Sequence, residues 1–321
     1  INFAEKISSF SSPLAVGMSG NFRQMKRRIL NIAVFRKETL YQKMRALIIY
    51  LVISAVFIGC TPILSIDAST QNVYHFSDTD KNISLLDISE TFGTYDGSFV
   101  LYDNNLDSWK IYDLEEATKR IPPESTYKIY DALLGLESGI ITPEHSSMTW
   151  NGDAFPFPSW EADQDLNSAM QNSVNWYFQA IDSQLGINRV QEFLNKIEYG
   201  NQTTSSNLDL YWSDFSLKIS PLEQVTLLKK FNTNEFHLNF QNVFSVKNAI
   251  KIASTPNGNF YGKTGTGRVN GQDINGWFIG YVETSDNSYY FATNIQSDSN
   301  ATGKKAFEIT SDILKKLHIW N

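Results

Sequence analysis

The distribution of hydrophobic and polar positions changes character several times along the chain. Residues 46–66 form one apolar run without a charged side chain. About 20 residues, at a rise of roughly 1.5 Å each, span a hydrocarbon core about 30 Å thick. The run therefore predicts a transmembrane helix at residues 46–66, and the polar residues 67–90 after it predict a linker.

Beyond residue 90 the pattern alternates between strand and helix periods. The predicted strands are residues 98–102, 109–112, 259–269, 276–282 and 288–295. The predicted helices are residues 125 to about 136 and 303–317, with a mostly helical block at about 165–250. Asn270-Gly271 is typical of a tight hairpin turn, so the strands beside it should be antiparallel. The prediction is one α/β domain at residues 91–321, a central antiparallel sheet with helices on both faces.

Charge gives the membrane helix a direction. Residues 1–66 carry nine Lys and Arg against two acidic residues, although the whole chain has a net charge of −7. A basic flank before a membrane span indicates the cytoplasmic side. Residues 1–45 are thus predicted to be cytoplasmic and the acidic C-terminal part to lie outside the cell. That acidic part also argues against a nucleic-acid partner, because the phosphates would repel it.

Other interpretations of the apolar run fit less well. About 45 residues precede it, which argues against a cleaved signal peptide and against a lipoprotein site at residues 57–60. A buried core helix would not need the basic flank. One cysteine and four histidines argue against a disulfide scaffold or a structural zinc site. The first residue is Ile1 rather than Met, which suggests a fragment or a processed chain.

Ser125 and Lys128 are the first candidates for chemistry. They stand three residues apart in a predicted helix that begins after Pro122-Pro123, so both side chains should share one face. A lysine that burial keeps neutral can take the proton of a serine hydroxyl and activate it as a nucleophile. Free N–H groups at the helix start can stabilise an oxyanion. The simpler alternative is a capping serine beside a solvated lysine.

Lys263-Thr264-Gly265-Thr266 is a second candidate motif, within a predicted strand. Its lysine and hydroxyls could bind a substrate carboxylate, and the glycine would let a ligand lie close to the strand. The alternative is an edge strand whose polar residues prevent aggregation.

Ser173-Val174-Asn175 could supply a hydroxyl that relays a proton. Such triplets are common, and the order of the motifs is more informative. Ser125, Ser173 and Lys263 follow one another on a helix, at a helix-to-loop junction and on a strand. This order is the signature of serine β-lactamases and penicillin-binding proteins, which usually have Asp in the middle triplet.

On these residues the outer domain resembles penicillin-recognising serine acyltransferases, and among them the class D β-lactamases. It is closer still to the sensor domain of membrane-bound β-lactam receptors that induce resistance genes. The resemblance covers nearly all of residues 90–317, and residues 17–35 resemble the last cytoplasmic stretch of such receptors. The residues that carry it are 125–128, 173–175, 199–201, 212, 217–220, 263–265 and 276–280, with the longer segments 164–178 and 261–282.

The resemblance implies a role for each site residue. Lys128, carboxylated by CO₂, would be the base for Ser125, and the Trp212 indole would donate to the carboxylate. Ser173 would relay a proton. Backbone N–H groups of Ser125 and Thr266 would form the oxyanion hole. Lys263, Thr264 and Thr266 would hold the drug carboxylate, with Gly265 between them, and no other cofactor is implied.

Asn175 departs from the class D pattern, in which a branched apolar residue usually occupies this position. An amide here can form hydrogen bonds to Lys128 or to its carboxylate and so displace the partners that these groups would otherwise have. We therefore expect the carboxylate to be lost on acylation, leaving no base to activate water and an acyl-enzyme that persists.

The receptor family couples drug binding to a cytoplasmic zinc metalloprotease with a His-Glu-x-x-His helix. The four histidines here, His75, His145, His237 and His318, form no such motif. The metalloprotease module is thus expected upstream, and no residue here is expected to bind metal.

The favoured interpretation is the C-terminal portion of a cell-membrane β-lactam sensor–transducer that deacylates very slowly. Three alternatives stay open: a membrane-anchored class D β-lactamase with turnover, a cell-wall transpeptidase or carboxypeptidase, and an inert domain that keeps the motifs without reactivity.

Overall fold

The computed structural model describes residues 41, 44, 45, 47, 72–77 and 81–321. The chain divides into two units, Ile1–Ile66 and Asp67–Asn321. The transmembrane helix predicted at residues 46–66 lies, apart from Leu47, outside the described residues. Within the residues that are described, no helix is long and apolar enough to cross a membrane.

A seven-stranded sheet is the centre of the described part of the second unit. Its strands are β1 (Asn82–Leu85), β2 (Asp96–Asp103), β3 (Ser108–Tyr112), β4 (Lys251–Thr255), β5 (Gly258–Val269), β6 (Gln272–Thr284) and β7 (Ser288–Gln296). The order is β1-β3-β2-β7-β6-β5-β4. The first three strands and the last four strands of this sheet form two groups, and the pairing of β2 with β7 joins the groups into one sheet.

The sheet is mixed rather than purely antiparallel. β1 runs parallel to β3, whereas every other neighbouring pair is antiparallel. A parallel pair needs a long connection between its strands, and the intervening helix and β2 provide one here. The prediction of an antiparallel sheet therefore holds everywhere except at this edge, which falls in the segment predicted to be a linker.

Helices cover both faces of the sheet. Over residues 81–321 they are α1 (Ser89–Phe92), α2 (Leu114–Thr118), α3 (Lys128–Glu137), α4 (Leu166–Gln171), α5 (Asn175–Leu185), α6 (Ile187–Ile197), α7 (Pro221–Asn232), α8 (Phe240–Ala249) and α9 (Gly303–Lys316). Short 3₁₀ turns occupy Glu124–Tyr127 and Pro158–Trp160.

Side-chain alternation along the strands builds two cores. Phe99 and Leu101 of β2 point to the face that α9 covers, and Val100 and Tyr102 point to the face that most of the other helices cover. This period of two is what a sheet buried on both sides requires. Helix α3 lies within the larger core and is buried from Lys128 to Leu136.

The hairpin between β5 and β6 has the predicted turn. Asn270 and Gly271 both have positive φ, at 50° and 80°, as a two-residue hairpin loop requires. β4 is missing from the sequence prediction, because its residues show no regular alternation, and only its pairing with β5 makes it a strand.

Candidate active site

The turn that carries Ser125 is held from two sides. Its first residue, Glu124, has a φ of 52° and donates its N–H to the Trp212 carbonyl at 3.0 Å. Thr126 donates its hydroxyl to the Pro123 carbonyl at 2.6 Å and accepts from Gln224 at 2.9 Å. Ser125 therefore lies in a 3₁₀ turn, not in the α-helix that the spacing predicts, and α3 begins at Lys128.

The 3₁₀ turn brings the serine and the lysine together, because residues three apart eclipse one another in that geometry. Lys128 Nζ donates to Ser125 Oγ at 3.0 Å. Ser125 is half-buried and Lys128 is 1% exposed, so the hydroxyl can meet a ligand while the amine stays out of water. The alternative of a solvated lysine is wrong.

Among the described residues, Lys128 has one hydrogen-bond partner besides the serine. Its Nζ donates to Asn175 Oδ1 at 2.7 Å, and the rings of Phe178 and Trp212 lie 5.6 and 5.4 Å from it. Burial lowers the pKa of Lys128 to about 8, although the carboxyl groups of Asp131, Glu124 and Asp182 act in the opposite direction. A substantial fraction of the amine is therefore neutral near pH 8, as both a base and a partner for CO₂ require.

The second serine and the second lysine also meet. Ser173 has a φ of 52° in the turn between α4 and α5, and its Oγ accepts a hydrogen bond from Lys263 Nζ. Lys263 donates to the Thr264 carbonyl as well, at 3.0 Å. Burial first, and then the positive charge of Lys128, hold the pKa of Lys263 well below its usual range. Two lysines thus face two serines in one site.

Strand β5 forms the wall beside the nucleophile. A Cβ atom added to Gly265 would lie 3.2 Å from the Ser125 nitrogen and 3.1 Å from the Pro123 carbonyl oxygen, so the glycine lets the strand approach the turn. Thr264 is half-buried and Thr266 is exposed, and the Thr266 hydroxyl accepts from the Gly303 N–H at 2.9 Å. β5 pairs with β6 along its whole length and with β4 at residues 258–261, so within the described sheet residues 263–266 pair through β6 and form a local edge beside the nucleophile turn.

The residue before the nucleophile is one that the sequence analysis missed. Glu124 is 6% exposed, and its Oε1 accepts from Asn275 Nδ2 at 3.2 Å. Burial raises its pKa to about 8, although the hydrogen bond from Asn275 and the charge of Lys128 act against this. Its position after two prolines does not indicate burial, because Glu124 is buried by a contact with Asn275 on β6, which is far away in the sequence.

Glu124→Gln is expected to change how stability depends on pH. The folded-state pKa lies above the ordinary value of 4.5, so the folded protein holds an extra proton between those values and is destabilised as pH rises through them. Between pH 5 and pH 8 the unfolding free energy of the unmodified protein should fall as pH rises. Because the glutamine cannot ionise, the variant should show a slope that is less steep by up to about 1.4 kcal/mol per pH unit. Denaturant unfolding at both pH values measures this, and parallel curves for the two proteins would contradict it.

Comparison with known proteins agrees with this geometry. The family model described as the penicillin binding protein transpeptidase domain matches residues 97–315. The chain belongs to the penicillin-binding transpeptidase family. All nine residues proposed for the site fall within that match, and so does the whole sheet apart from β1 and the first residue of β2.

Two relatives in the transpeptidase family link the chain to regulators and to β-lactamases. The regulatory protein BlaR1 of Bacillus licheniformis is 43% identical over 97% of this chain and 52% of its own length. The probable β-lactamase YbxI of Bacillus subtilis strain 168 is 37% identical over 73% of this chain and 86% of its own length. The chain therefore spans about half the length of the regulatory relative.

A solved structure in the transpeptidase family has the same fold. The C-terminal domain of the Bacillus licheniformis BlaR penicillin-receptor is 45% identical, with a TM-score of 0.73, and the match covers 75% of this chain and 99% of that domain. The described unit is thus a transpeptidase-type domain similar to both a receptor domain and class D β-lactamases.

Proposed function

We propose that the chain is the sensing portion of a β-lactam receptor, in which the drug acylates Ser125 and the ester persists. The observation that carries this proposal is the 2.7 Å hydrogen bond from Lys128 to Asn175. A hydrolase needs a base that survives acylation to activate water, whereas an amide oxygen that accepts from the lysine stabilises its protonated form against loss of the proton. The similarity to the BlaR penicillin-receptor domain supports the same choice.

In the proposed acylation, Ser125 Oγ attacks the lactam carbonyl while its proton passes toward Lys128 Nζ, 3.0 Å away. The lactam C–N bond then breaks, and its nitrogen takes a proton from the Ser173 hydroxyl, which regains one from Lys263 Nζ, the donor of its hydrogen bond. The proton that Lys128 gains is thus matched by one that Lys263 gives up. Backbone N–H groups of Ser125 and Thr266 would bind the oxyanion. Lys263, Thr264 and Thr266 would bind the drug carboxylate.

We further propose that Lys128 reacts with CO₂ before the drug binds. The buried amine between two aromatic rings fits this modification, because only a neutral amine reacts and burial favours the neutral form. A carboxylate on Nζ would supply an oxygen base for Ser125 in place of the amine. Asn175 opposes it, and we propose that this amide makes the modification labile once Ser125 is acylated.

The proposed signal leaves the site through residues 67–90 toward the membrane helix and a cytoplasmic zinc metalloprotease module. The described residues 72–77 support this route. Tyr74 donates its N–H to the Thr118 carbonyl at 2.8 Å, and the Arg120 N–H donates to the Asn72 carbonyl at 2.8 Å. Arg120 also forms a buried ion pair with Glu223, and it stands only five residues before Ser125. A shift of the nucleophile turn therefore has a short path to this segment.

A burst experiment tests the proposal. The full chain in detergent is mixed with a chromogenic β-lactam and followed by absorbance and intact mass. We expect one equivalent of drug to be consumed and a stable adduct on Ser125, with none on Ser125→Ala. Continued hydrolysis would make the protein a membrane-anchored class D β-lactamase, the alternative that similarity to YbxI supports.

A further inference from the structure

Two carboxyl groups are buried together behind Lys128. Asp131 on α3 and Asp182 on α5 are both 0% exposed, and each carboxyl group influences the pKa of the other. In the described part of the chain, neither oxygen of Asp131 has a hydrogen-bond partner, and the carboxyl group of Asp182 has the Tyr211 hydroxyl, at 3.4 Å. Two buried carboxyl groups with so few hydrogen bonds cannot both stay ionised, so we infer that the pair holds at least one proton.

The pair acts on Lys128 through charge rather than contact. Lys128 makes its hydrogen bonds to Ser125 and Asn175, yet both carboxyl groups raise its pKa, and its charge in turn lowers theirs. Among the described residues, the other titratable groups that face the lysine or the pair are Glu124, Lys263, Tyr127, Tyr177, Tyr211 and Asp209.

We propose that the Asp131–Asp182 pair balances the charge of Lys128: it carries one negative charge when the lysine is an ammonium ion and is neutral when the lysine carries a CO₂-derived carboxylate. This inference rests on the proposed function. A buried site tolerates little net charge, so an ammonium ion is favoured beside an anion and a carboxylate beside a neutral pair.

The chemistry balances through one proton on the pair. When the neutral Lys128 amine and CO₂ form the N–C bond, one proton is released and the ionised pair can take it up. When that bond breaks, the pair can return the proton to the nitrogen and CO₂ leaves. Burial raises the pKa of Asp182 and lowers that of Lys128, so the proton affinities of the two groups are closer together than those of an ordinary acid and an ordinary amine.

The test compares the double variant Asp131→Asn/Asp182→Asn with the two single variants. An asparagine keeps the shape of the side chain, and each single variant keeps one carboxyl group that can ionise beside an amide donor. The double variant keeps none and loses the anion that favours the ammonium ion. The Lys128 carboxylate is measured in the unacylated full chain by ¹³C NMR during titration with ¹³C-bicarbonate at pH 7.5.

We expect the double variant to reach half-carboxylation at about tenfold less bicarbonate than the unmodified protein, a difference of about 1.4 kcal/mol. The single variants should reach half-carboxylation at a bicarbonate concentration within about twofold of that for the unmodified protein. The same midpoint in the double variant, with an unchanged melting temperature, would overturn the proposal. If the double variant does not fold, single variants that differ from the unmodified protein by tenfold would also overturn it.

The outcome separates this inference from the proposed function. If the unmodified protein shows no carboxylate at any bicarbonate concentration but still acylates Ser125, the CO₂ proposal is wrong. The pair is then judged by the titration of Lys128, followed by NMR of its ¹³Cε atom. The Lys128 pKa should fall in the double variant because an anion is lost, and an unchanged value would overturn the charge-balancing role.

Discussion

Lys128→Met is expected to slow acylation of Ser125 by about a thousandfold. The amine is the nearest base to the nucleophile, at 3.0 Å, and it is 1% exposed, so water cannot replace it. A positioned general base contributes about 10²- to 10⁴-fold to a rate. Methionine keeps most of the volume and the contacts with the aromatic rings, so the fold should persist. The measurement is the second-order rate constant of adduct formation, followed by stopped-flow absorbance.

Lys229→Met is the matched control for that variant. Lys229 on α7 is also partly buried against an aromatic ring, with its Nζ 3.0 Å from Tyr102 Oη and 4.5 Å from the ring centre, but it has no contact with Ser125. The acylation rate of the Lys229→Met variant should stay within about twofold of that of the unmodified protein. Equal rates for the two variants would show that Lys128 is not the base, and the nucleophile would then have to be activated by Ser173 and Lys263.

The sequence predicts the fold best where burial is periodic. β5, β6 and β7 are confirmed to within a few residues at each end because their alternation is regular and Asn270-Gly271 marks the turn. β1 and β4 are short edge strands with mostly exposed side chains. Their structure comes from pairing with a neighbour, and a local pattern does not contain that information.

The site, like the fold, could be predicted only in part from the sequence. Hydroxyl and amine residues could be selected from the order and spacing of their motifs together with the family resemblance, and the structure brings Ser125 to Lys128 and Ser173 to Lys263. Their roles in catalysis stay predictions. Buried acids such as Asp131 could not be recognised, because burial is a property of the packed molecule. Asp131 stands at a helical spacing of three from Lys128, which was the one visible signal, but its partner Asp182 is on another helix.

These missed acids change how the receptor is explained. Asn175 is the departure that a comparison with class D enzymes reveals, yet its amide is neutral and acts on Lys128 through one hydrogen bond. The pair of Asp131 and Asp182 would add a charge that acts on the same amine from the two helices that carry Lys128 and Asn175 themselves. An ammonium ion at Lys128 is thus favoured both by contact and by charge, and the variants separate the two effects.

Asn175→Val is expected to shorten the lifetime of the acyl-enzyme by about 10- to 100-fold. The side chain accepts a hydrogen bond of 2.7 Å from Lys128. A hydrogen bond to a charged group contributes about 1.5–3 kcal/mol, and each ~1.4 kcal/mol is a factor of ten. Without it the buried amine loses an acceptor that stabilises the ammonium ion, so burial favours the neutral amine, the form that reacts with CO₂. A base then remains to activate water after acylation.

The lifetime is measured by the return of the unmodified mass after excess drug is removed, and turnover by continued colour formation. Asn242→Val is the control, because Asn242 on α8 is a buried asparagine that donates to Glu137 at 2.7 Å and has no hydrogen bond to Lys128, whereas Asn175 is half-buried. The lifetime of the acyl-enzyme should be the same in the Asn242→Val variant as in the unmodified protein. An Asn175→Val protein that acylates normally and deacylates no faster would show that the lost base is not the reason the ester persists. Slow deacylation would then have to come from exclusion of water near Ser125, and the receptor proposal would stand on a different physical cause.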